Sequence, residues 1–209
     1  MLTETSSLSG LIVSLRELDR PLMAHWAAVH ETFRHWVERP DFRTHLRNYV
    51  LGLPAAEVAG RARETTTHFA WCLLDDPSAD FSLWLHEYKP QRDWRLGYAD
   101  SVHNHRYHFS STMVHGSYLQ EHYDATVDPE SGLITSVAVR SCARCAAGSS
   151  GTMLAADFHR IVSAEDDTMT FLVKSRPVTA SSLSYDIESG VAHRHVPVEN
   201  RLGGLSARI

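Results

Sequence analysis

The sequence lacks long apolar runs, a surplus of basic residues, and enough cysteines for a disulfide framework. No stretch of its 209 residues approaches the roughly 20 apolar residues that a membrane helix needs. The net charge of −5 leaves no basic surplus to neutralise phosphates, so neither a membrane nor a nucleic acid is an expected partner. The three cysteines cannot all pair within one chain, and residues 1–10 show neither a basic start nor a clean apolar core. We therefore expect a cytoplasmic protein.

The first part of the chain has helical periodicity. Over residues 22–36, successive apolar residues are four, three, four and three positions apart in the sequence. This spacing places them on one face of an amphipathic helix. A second helix is expected over 41–52, and a third is expected to begin at 54 and to keep one apolar side as far as 72. We expect residues 1–78 to form a helical segment packed on the rest of the protein. This segment could cover one mouth of a barrel or support a homodimer, and the sequence leaves both open.

After residue 80 the periodicity falls to two, which is typical of strands. Apolar and polar residues alternate over 81–86. Similar runs follow, separated by turn signals, at 113–123, 133–139, 153–162 and 168–173. Many short strands at this spacing favour a sandwich or a small barrel. We expect a mainly β fold with an α-helical N-terminal part, in which 79–200 form the barrel and 201–209 form a tail.

One short segment carries most of the chemistry. Five residues separate Gly97 from His103, His105 follows two positions later, and ten residues separate His105 from Gly116. Side chains at i and i+2 of a strand point to the same face, so these two imidazoles can reach one metal ion. A third ligand must come from another strand. His159, near the end of a later apolar run, is the best candidate, and the alternatives are His122 and His115.

This pattern resembles the first motif of the cupin family. In that motif a glycine is followed by five residues, His-x-His, three or four residues, a glutamate, six residues and a second glycine. The sequence fits at every position except one, because Phe109 stands where the glutamate belongs. A histidine on a later strand completes the site in cupins, which supports His159. The resemblance implies a cupin jelly-roll barrel, also called a double-stranded β-helix.

Without the glutamate, the motif is most similar to that of the thiol dioxygenases. Those cupins bind Fe(II) with three histidines, so the resemblance implies His103, His105 and His159 as iron ligands. Two other features of the family are missing. The Ser-x-His-x-Tyr sequence that orients substrate and oxygen is replaced by residues 170–174, and the arginine that grips the substrate carboxylate has no counterpart near Trp71. Cysteine itself is therefore not the expected substrate.

The sequence supports three functional hypotheses. The first is a mononuclear Fe(II) cupin oxygenase, in which O₂ and a small metal-chelating substrate react in a biosynthetic pathway. The second keeps the barrel but uses Zn(II), Ni(II) or Mn(II) for a non-oxidative isomerisation, elimination or condensation. The third is a non-catalytic cupin that binds a metal or ligand. Tyr107 and Tyr118 are the candidate catalytic residues, and the expected substrate pocket consists of Phe109, Trp84, His108 and Gln120.

Three other features suggest metal or redox chemistry less strongly. Cys142 and Cys145 have CxxC spacing, but no second pair exists to complete a zinc site, and we expect a loop carrying two incidental thiols rather than a redox pair. His193 and His195 form a second His-x-His without flanking glycines, and we expect an exposed strand or loop there. Glu121 has the wrong strand parity to join the predicted site as a fourth ligand.

Overall fold

The computed structural model describes residues 8–197, apart from the side chains of residues 76 and 77. The helices come first in the chain. They are α1 (Ser9–Arg16), α2 (Trp26–Val37), α3 (Phe42–Gly52) and α4 (Ala55–Arg61). No helix in this part of the chain has the length and apolar character needed to cross a bilayer.

Twelve strands make up the rest of the described fold. They are β1 (Arg63–Glu64), β2 (His68–Asp76), β3 (Phe81–Tyr88), β4 (Val102–His103), β5 (Phe109–His115), β6 (Ser117–Val127), β7 (Ile134–Ala146), β8 (Ser150–Met153), β9 (Phe158–Ala164), β10 (Met169–Ser175), β11 (Ser182–Tyr185) and β12 (Ala192–His195). All of the described pairings are antiparallel, and the strands form two six-stranded sheets. The first sheet has the order β1-β2-β3-β10-β5-β8, and the second has the order β12-β11-β4-β9-β6-β7.

The strand order identifies the fold. The eight strands from β3 to β10 are divided between the two sheets, with β3-β10-β5-β8 in the first and β4-β9-β6-β7 in the second. This is the order of a jelly roll, the double Greek key in which cupins are built. The predicted fold class is therefore confirmed: the protein is mainly β, with a jelly-roll barrel and an α-helical N-terminal part.

The helices cover the outer face of the first sheet. Val29 and Phe33 of α2 are fully buried in one apolar cluster with Phe81 of β3 and Phe171 and Val173 of β10. The helices lie on this sheet face rather than over a mouth of the barrel, and a homodimer supported by them stays a prediction. The segment closes a sheet face that would otherwise expose a large apolar surface to water.

Strand β10 divides its residues between two environments. Phe171 and Val173 point outward into the helical cluster. The alternate residues Thr170, Leu172 and Lys174 point inward and line the barrel cavity. This alternation follows from the two-residue period of a strand. Any change in β10 therefore acts either on the helical layer or on the cavity.

Several boundaries differ from those predicted. The third helix is wrong beyond Arg61, because residues 68–76 form β2 and pair with β3. The run 113–123 is divided between β5 and β6, and the run 153–162 between β8 and β9. Helix α1 was not expected at all. The predicted tail at 201–209 lies outside the described residues.

The second glycine of the motif is required by the turn between β5 and β6. Gly116 has a φ of +69°, a conformation that residues with a Cβ atom rarely adopt. A Cβ atom there would also lie 3.0 Å from the backbone Cα of Thr168 and overlap its side chain. The glycine therefore allows the chain to turn from β5 in the first sheet to β6 in the second.

Candidate metal centre

Two of the three predicted histidines lie on neighbouring strands of the second sheet, and the third follows one of these strands. His103 is the last residue of β4, and its direct partner across the ladder is His159, the second residue of β9. His105 lies just beyond the end of β4 rather than within a strand. The expectation that His159 lies near the end of its strand is also wrong, because β9 begins at Phe158. Despite these shifts, all three imidazoles meet inside the barrel.

The geometry of the three rings suits one metal ion. One ligand nitrogen from each of His103, His105 and His159 lies within 4.8 Å of the others. The Nε2 atoms of His105 and His159 are 2.9 Å apart. Two nitrogens that each lie about 2.1 Å from an ion, at a right angle, are separated by about 3 Å. The three nitrogens would therefore hold one divalent ion, which would supply Lewis-acid or redox chemistry there.

Burial keeps these imidazoles neutral, as metal ligands must be. Desolvation lowers the pKa of His103 to about 4 and lowers the pKa values of His105 and His159 well below the usual range. At neutral pH each ring therefore has an unprotonated nitrogen to offer. No acidic residue is among the described residues that line the cavity, so the ligand set contributes no negative charge.

Hydrogen bonds hold two of the rings by the nitrogen that faces away from the centre. His103 Nδ1 lies 2.8 Å from the carbonyl oxygen of Ser101, to which it can donate, and this leaves Nε2 for an ion. His159 Nδ1 lies 2.9 Å from Nε2, the amide nitrogen, of buried Gln120. When His159 Nε2 binds an ion, Nδ1 carries the proton, and the carboxamide oxygen of Gln120 accepts it after a half-turn of the amide.

We expect Gln120→Leu to weaken metal binding by roughly 10- to 100-fold, because His159 loses the group that fixes its tautomer and orientation. Competition for metal with a chelator of known affinity measures the change. Gln91→Leu is the matched control, since Gln91 is exposed and its amide reaches only a backbone carbonyl oxygen, at 3.4 Å. Equal affinities for the two variants would show that Gln120 does not support the centre.

Four of the expected catalytic or pocket residues line the cavity around the histidines. Phe109 packs edge-on against His105, with ring centroids 5.0 Å apart, so the residue that replaces the motif's glutamate is a wall of the cavity. Tyr107 stacks on the same ring at 5.3 Å. Tyr118 and Gln120 line the cavity from β6. The structure places these four where a substrate could touch them.

The other two expected pocket residues lie elsewhere. Trp84 lines the adjoining groove rather than the cavity. His108 packs against Trp26 at a centroid distance of 5.8 Å and accepts a hydrogen bond from the backbone N–H of Ala155. Because His108 alternates in direction with Tyr107 and Phe109, it faces the helical layer, and the structure does not bring it to the cavity.

The alternative ligands do not join the group in the described part of the chain. His115 is exposed at the end of β5. His122 pairs with His159 across the ladder but is not part of the cluster, and its Nδ1 is buried without a hydrogen-bond partner. Glu121 accepts a hydrogen bond from the hydroxyl of Tyr123 instead.

The CxxC cysteines and the second His-x-His pair lie partly in surroundings that differ from those expected. Cys142 and Cys145 lie in strand β7, not in a loop. Residues three apart in a strand face opposite sides, so the two thiols are turned away from each other, and both are free. His193 is exposed on β12 as expected, whereas His195 is half-buried, 2.7 Å from the hydroxyl of Ser184, and lines the groove.

Sequence reasoning missed several residues that line the cavity or groove. Lys174, His86 and His68 line both, and Tyr98 packs over His103 at a centroid distance of 4.5 Å. The sequence itself contains a feature that predicts the position of Lys174. It is one of only two lysines in the chain and lies in an apolar strand at the parity that faces inward. Applying strand parity to residues 170–174 would have placed it in the cavity.

Comparison with known proteins gives distant structural similarities only. A scan against models of protein families finds no match, and a search of curated proteins finds none. A deletion mutant of Bacillus subtilis oxalate decarboxylase is 17% identical, with a TM-score of 0.40 over 69% of this chain and 34% of that chain. KdgF from Halomonas sp. is 14% identical, with a TM-score of 0.38 over 55% of this chain and 85% of that chain.

The oxalate decarboxylase of Lactobacillus farciminis, in a formate complex, is 19% identical, with a TM-score of 0.37 over 56% of this chain and 31% of that chain. The chain thus spans about a third of the length of the oxalate decarboxylases that it matches. The Bacillus subtilis enzyme has Mn(II) centres. Similarities this low say nothing about the chemistry of this chain, and its own strand order establishes the fold.

Proposed function

We propose that this protein is a mononuclear Fe(II) cupin oxygenase that acts on a small metal-chelating substrate. One observation carries the proposal: three neutral imidazoles, two of them buried and that of His105 half-buried, converge in a cavity with no acidic residue among the described residues that line it. His103, His105 and His159 would hold the ion. The resemblance of the motif to that of the thiol dioxygenases supports iron as the metal, and cysteine is not proposed as the substrate.

The neutral ligand set determines what the site can bind. A divalent ion held by three imidazoles keeps its full +2 charge, whereas a carboxylate ligand would cancel one unit. The site therefore favours anionic groups such as thiolate, enolate or carboxylate. When bound to these nitrogens, Fe(II) supplies the electrons that O₂ activation requires and that Zn(II) cannot supply.

The surrounding side chains position the substrate and hold protons. Burial raises the pKa of Tyr107 to about 12 and raises the pKa of Tyr118 well above its usual range. Both phenols therefore keep their protons at neutral pH and can donate hydrogen bonds to a substrate oxygen. Phe109, buried against the rings of His105 and His159, excludes water from that side of the centre.

Anaerobic loading with Fe(II) and exposure to nitric oxide test the proposal. We expect one iron per chain and a high-spin iron–nitrosyl EPR signal, because nitric oxide needs an open coordination position next to the three imidazoles. Elemental analysis of protein purified without added metal gives the resting metal. Zinc-loaded protein is the control and should give no signal.

A fully iron-loaded protein that gives no nitrosyl signal would contradict the oxygenase. Stoichiometric zinc, nickel or manganese in the purified protein, together with no O₂ consumption by the iron form, would also contradict it. That result would favour a non-oxidative cupin.

A further inference from the structure

Lys174 is a buried amine that projects into the same cavity as the three histidines. It lies on β10, between Ser82 of β3 and Phe109 of β5 across the two ladders. The residue is only 7% exposed. Lys174 and His105 both line the cavity, so a small molecule there can touch both residues.

The contacts of Lys174 hold the amine in place without neutralising it. Its Nζ lies 3.0 Å from His86 Nε2, which can accept a hydrogen bond from the ammonium group. The amine also lies over the rings of Trp84 and Tyr107, at 4.3 Å and 5.3 Å from their centroids. In the described part of the chain no carboxylate pairs with it. The other lysine, Lys89, differs in this respect because its Nζ lies 2.6 Å from Glu64.

An ammonium group buried without an anion is unfavourable. Burial, with a smaller contribution from the nearby Arg63, lowers the pKa of Lys174 to about 7. Lysine is rarely buried this deeply unless it is paired, because desolvation of the charge is not compensated. A bound anion would supply the missing partner and keep the amine protonated.

The groove that leads to the cavity also favours an anionic ligand. A groove opens beside the cavity and shares Lys174, His105 and Tyr107 with it. Among the described residues of the groove, those that are charged, besides Lys174, are Arg63, Arg95, Arg106, Arg176, Glu64 and Asp75. Four arginines against two acidic residues make this surface positive in a chain whose net charge is −5. Such a groove attracts anions and raises their local concentration.

We propose that Lys174 binds the carboxylate of a small organic acid that enters through the arginine-lined groove, with His86 positioning the amine. As an assignment of the substrate class, this rests on the proposed function, since the other end of the acid would reach the metal centre. The anion site itself depends only on Lys174 and its surroundings.

The scarcity of lysine gives a direct test. Protein labelled with ¹³C at the lysine ε-carbon has two side-chain signals, from Lys89 and Lys174, and Lys174→Arg assigns them. We expect acetate, replacing chloride at constant ionic strength, to raise the apparent pKa of Lys174 by about 1 and leave that of Lys89 unchanged. Acetamide, the neutral molecule of the same shape, should have no effect. Lys174→Met should abolish acetate binding, and Lys174→Arg should retain it.

Failure of the anion site can be distinguished from failure of the metal site. Metal content is measured in the same preparation, and the titration is repeated in His105→Ala, which leaves Lys174 in place. An acetate effect that persists without metal supports the lysine site even if the proposed function fails. An effect that disappears in His105→Ala places the anion on the metal and overturns the proposal. No response of Lys174 to acetate, or an equal response to acetamide, also overturns it.

Discussion

Replacing His103 by alanine is expected to abolish tight metal binding and, with it, any activity. The change removes one of the three proposed ligands, and the described residues that line the cavity include no acidic residue to substitute for it. Loss of a hydrogen bond behind a ligand already weakens metal binding roughly 10- to 100-fold, so loss of the ligand itself should exceed about 100-fold. Elemental analysis after gel filtration, with a chelator competition for affinity, measures the result.

The matched control is His195→Ala. His195 also belongs to a His-x-His sequence, but it lies on β12 and does not join the cluster. It should bind metal as tightly as the unmodified protein. Far-UV circular dichroism checks that His103→Ala is folded. A folded His103→Ala that retains one metal per chain would mean that the ion is held elsewhere.

Replacing Phe171 by alanine is expected to destabilise the protein by about 3–5 kcal/mol, the usual cost of removing a fully buried phenylalanine. The ring has no solvent exposure and contacts the rings of Phe33, Trp36 and Phe42 at centroid distances of 5.7, 6.5 and 6.0 Å. It therefore joins α2 and α3 to the first sheet. Denaturant unfolding of chelator-treated protein gives the change in the free energy of unfolding without a contribution from bound metal.

Leu96→Ala is the control for this prediction, because Leu96 is 79% exposed and its truncation removes few contacts. We expect it to change stability by less than about 0.5 kcal/mol. If Phe171→Ala destabilised the protein no more than this control, the helical layer would not depend on the aromatic cluster for its attachment.

The convergence of the three histidines was predictable from the sequence because most of its signal is local. His103 and His105 are two residues apart, and a strand or extended segment directs both side chains to one side whether or not His105 lies within the strand. His159 was harder to predict, because His122 of β6 lies directly opposite it across the ladder and points to the same side of the sheet. The register pairs His103 with His159, and this contact between distant segments is what brings the third ring to the cluster.

The errors arose where one sequence pattern fits two structures. Over 58–72 the apolar residues fit a helical stripe, but β2 is stabilised by its ladder with β3, which local periodicity cannot show. The CxxC segment is rich in small polar residues and was expected to be a loop, yet pairing with β6 holds it as a strand. In both segments, tertiary pairing overrides local preference.

Lys174 was missed for a different reason. Residues 170–174 lack the histidine and tyrosine of the family motif, and that absence says nothing about the lysine that they do contain. A lone lysine in an apolar strand is informative by itself, because strand parity and burial place the amine in the cavity.

Because alternate residues of β10 face different environments, the lining of the cavity can change without changing the helical layer. Odd-numbered Phe171 and Val173 anchor the helices, while even-numbered Thr170, Leu172 and Lys174 face the ligand space. Selection or design can therefore vary the even-numbered residues to accept a new ligand while the helical attachment stays intact. A single-residue insertion in this strand would have the opposite effect, turning anchoring rings into the ligand space and the amine into the helical core.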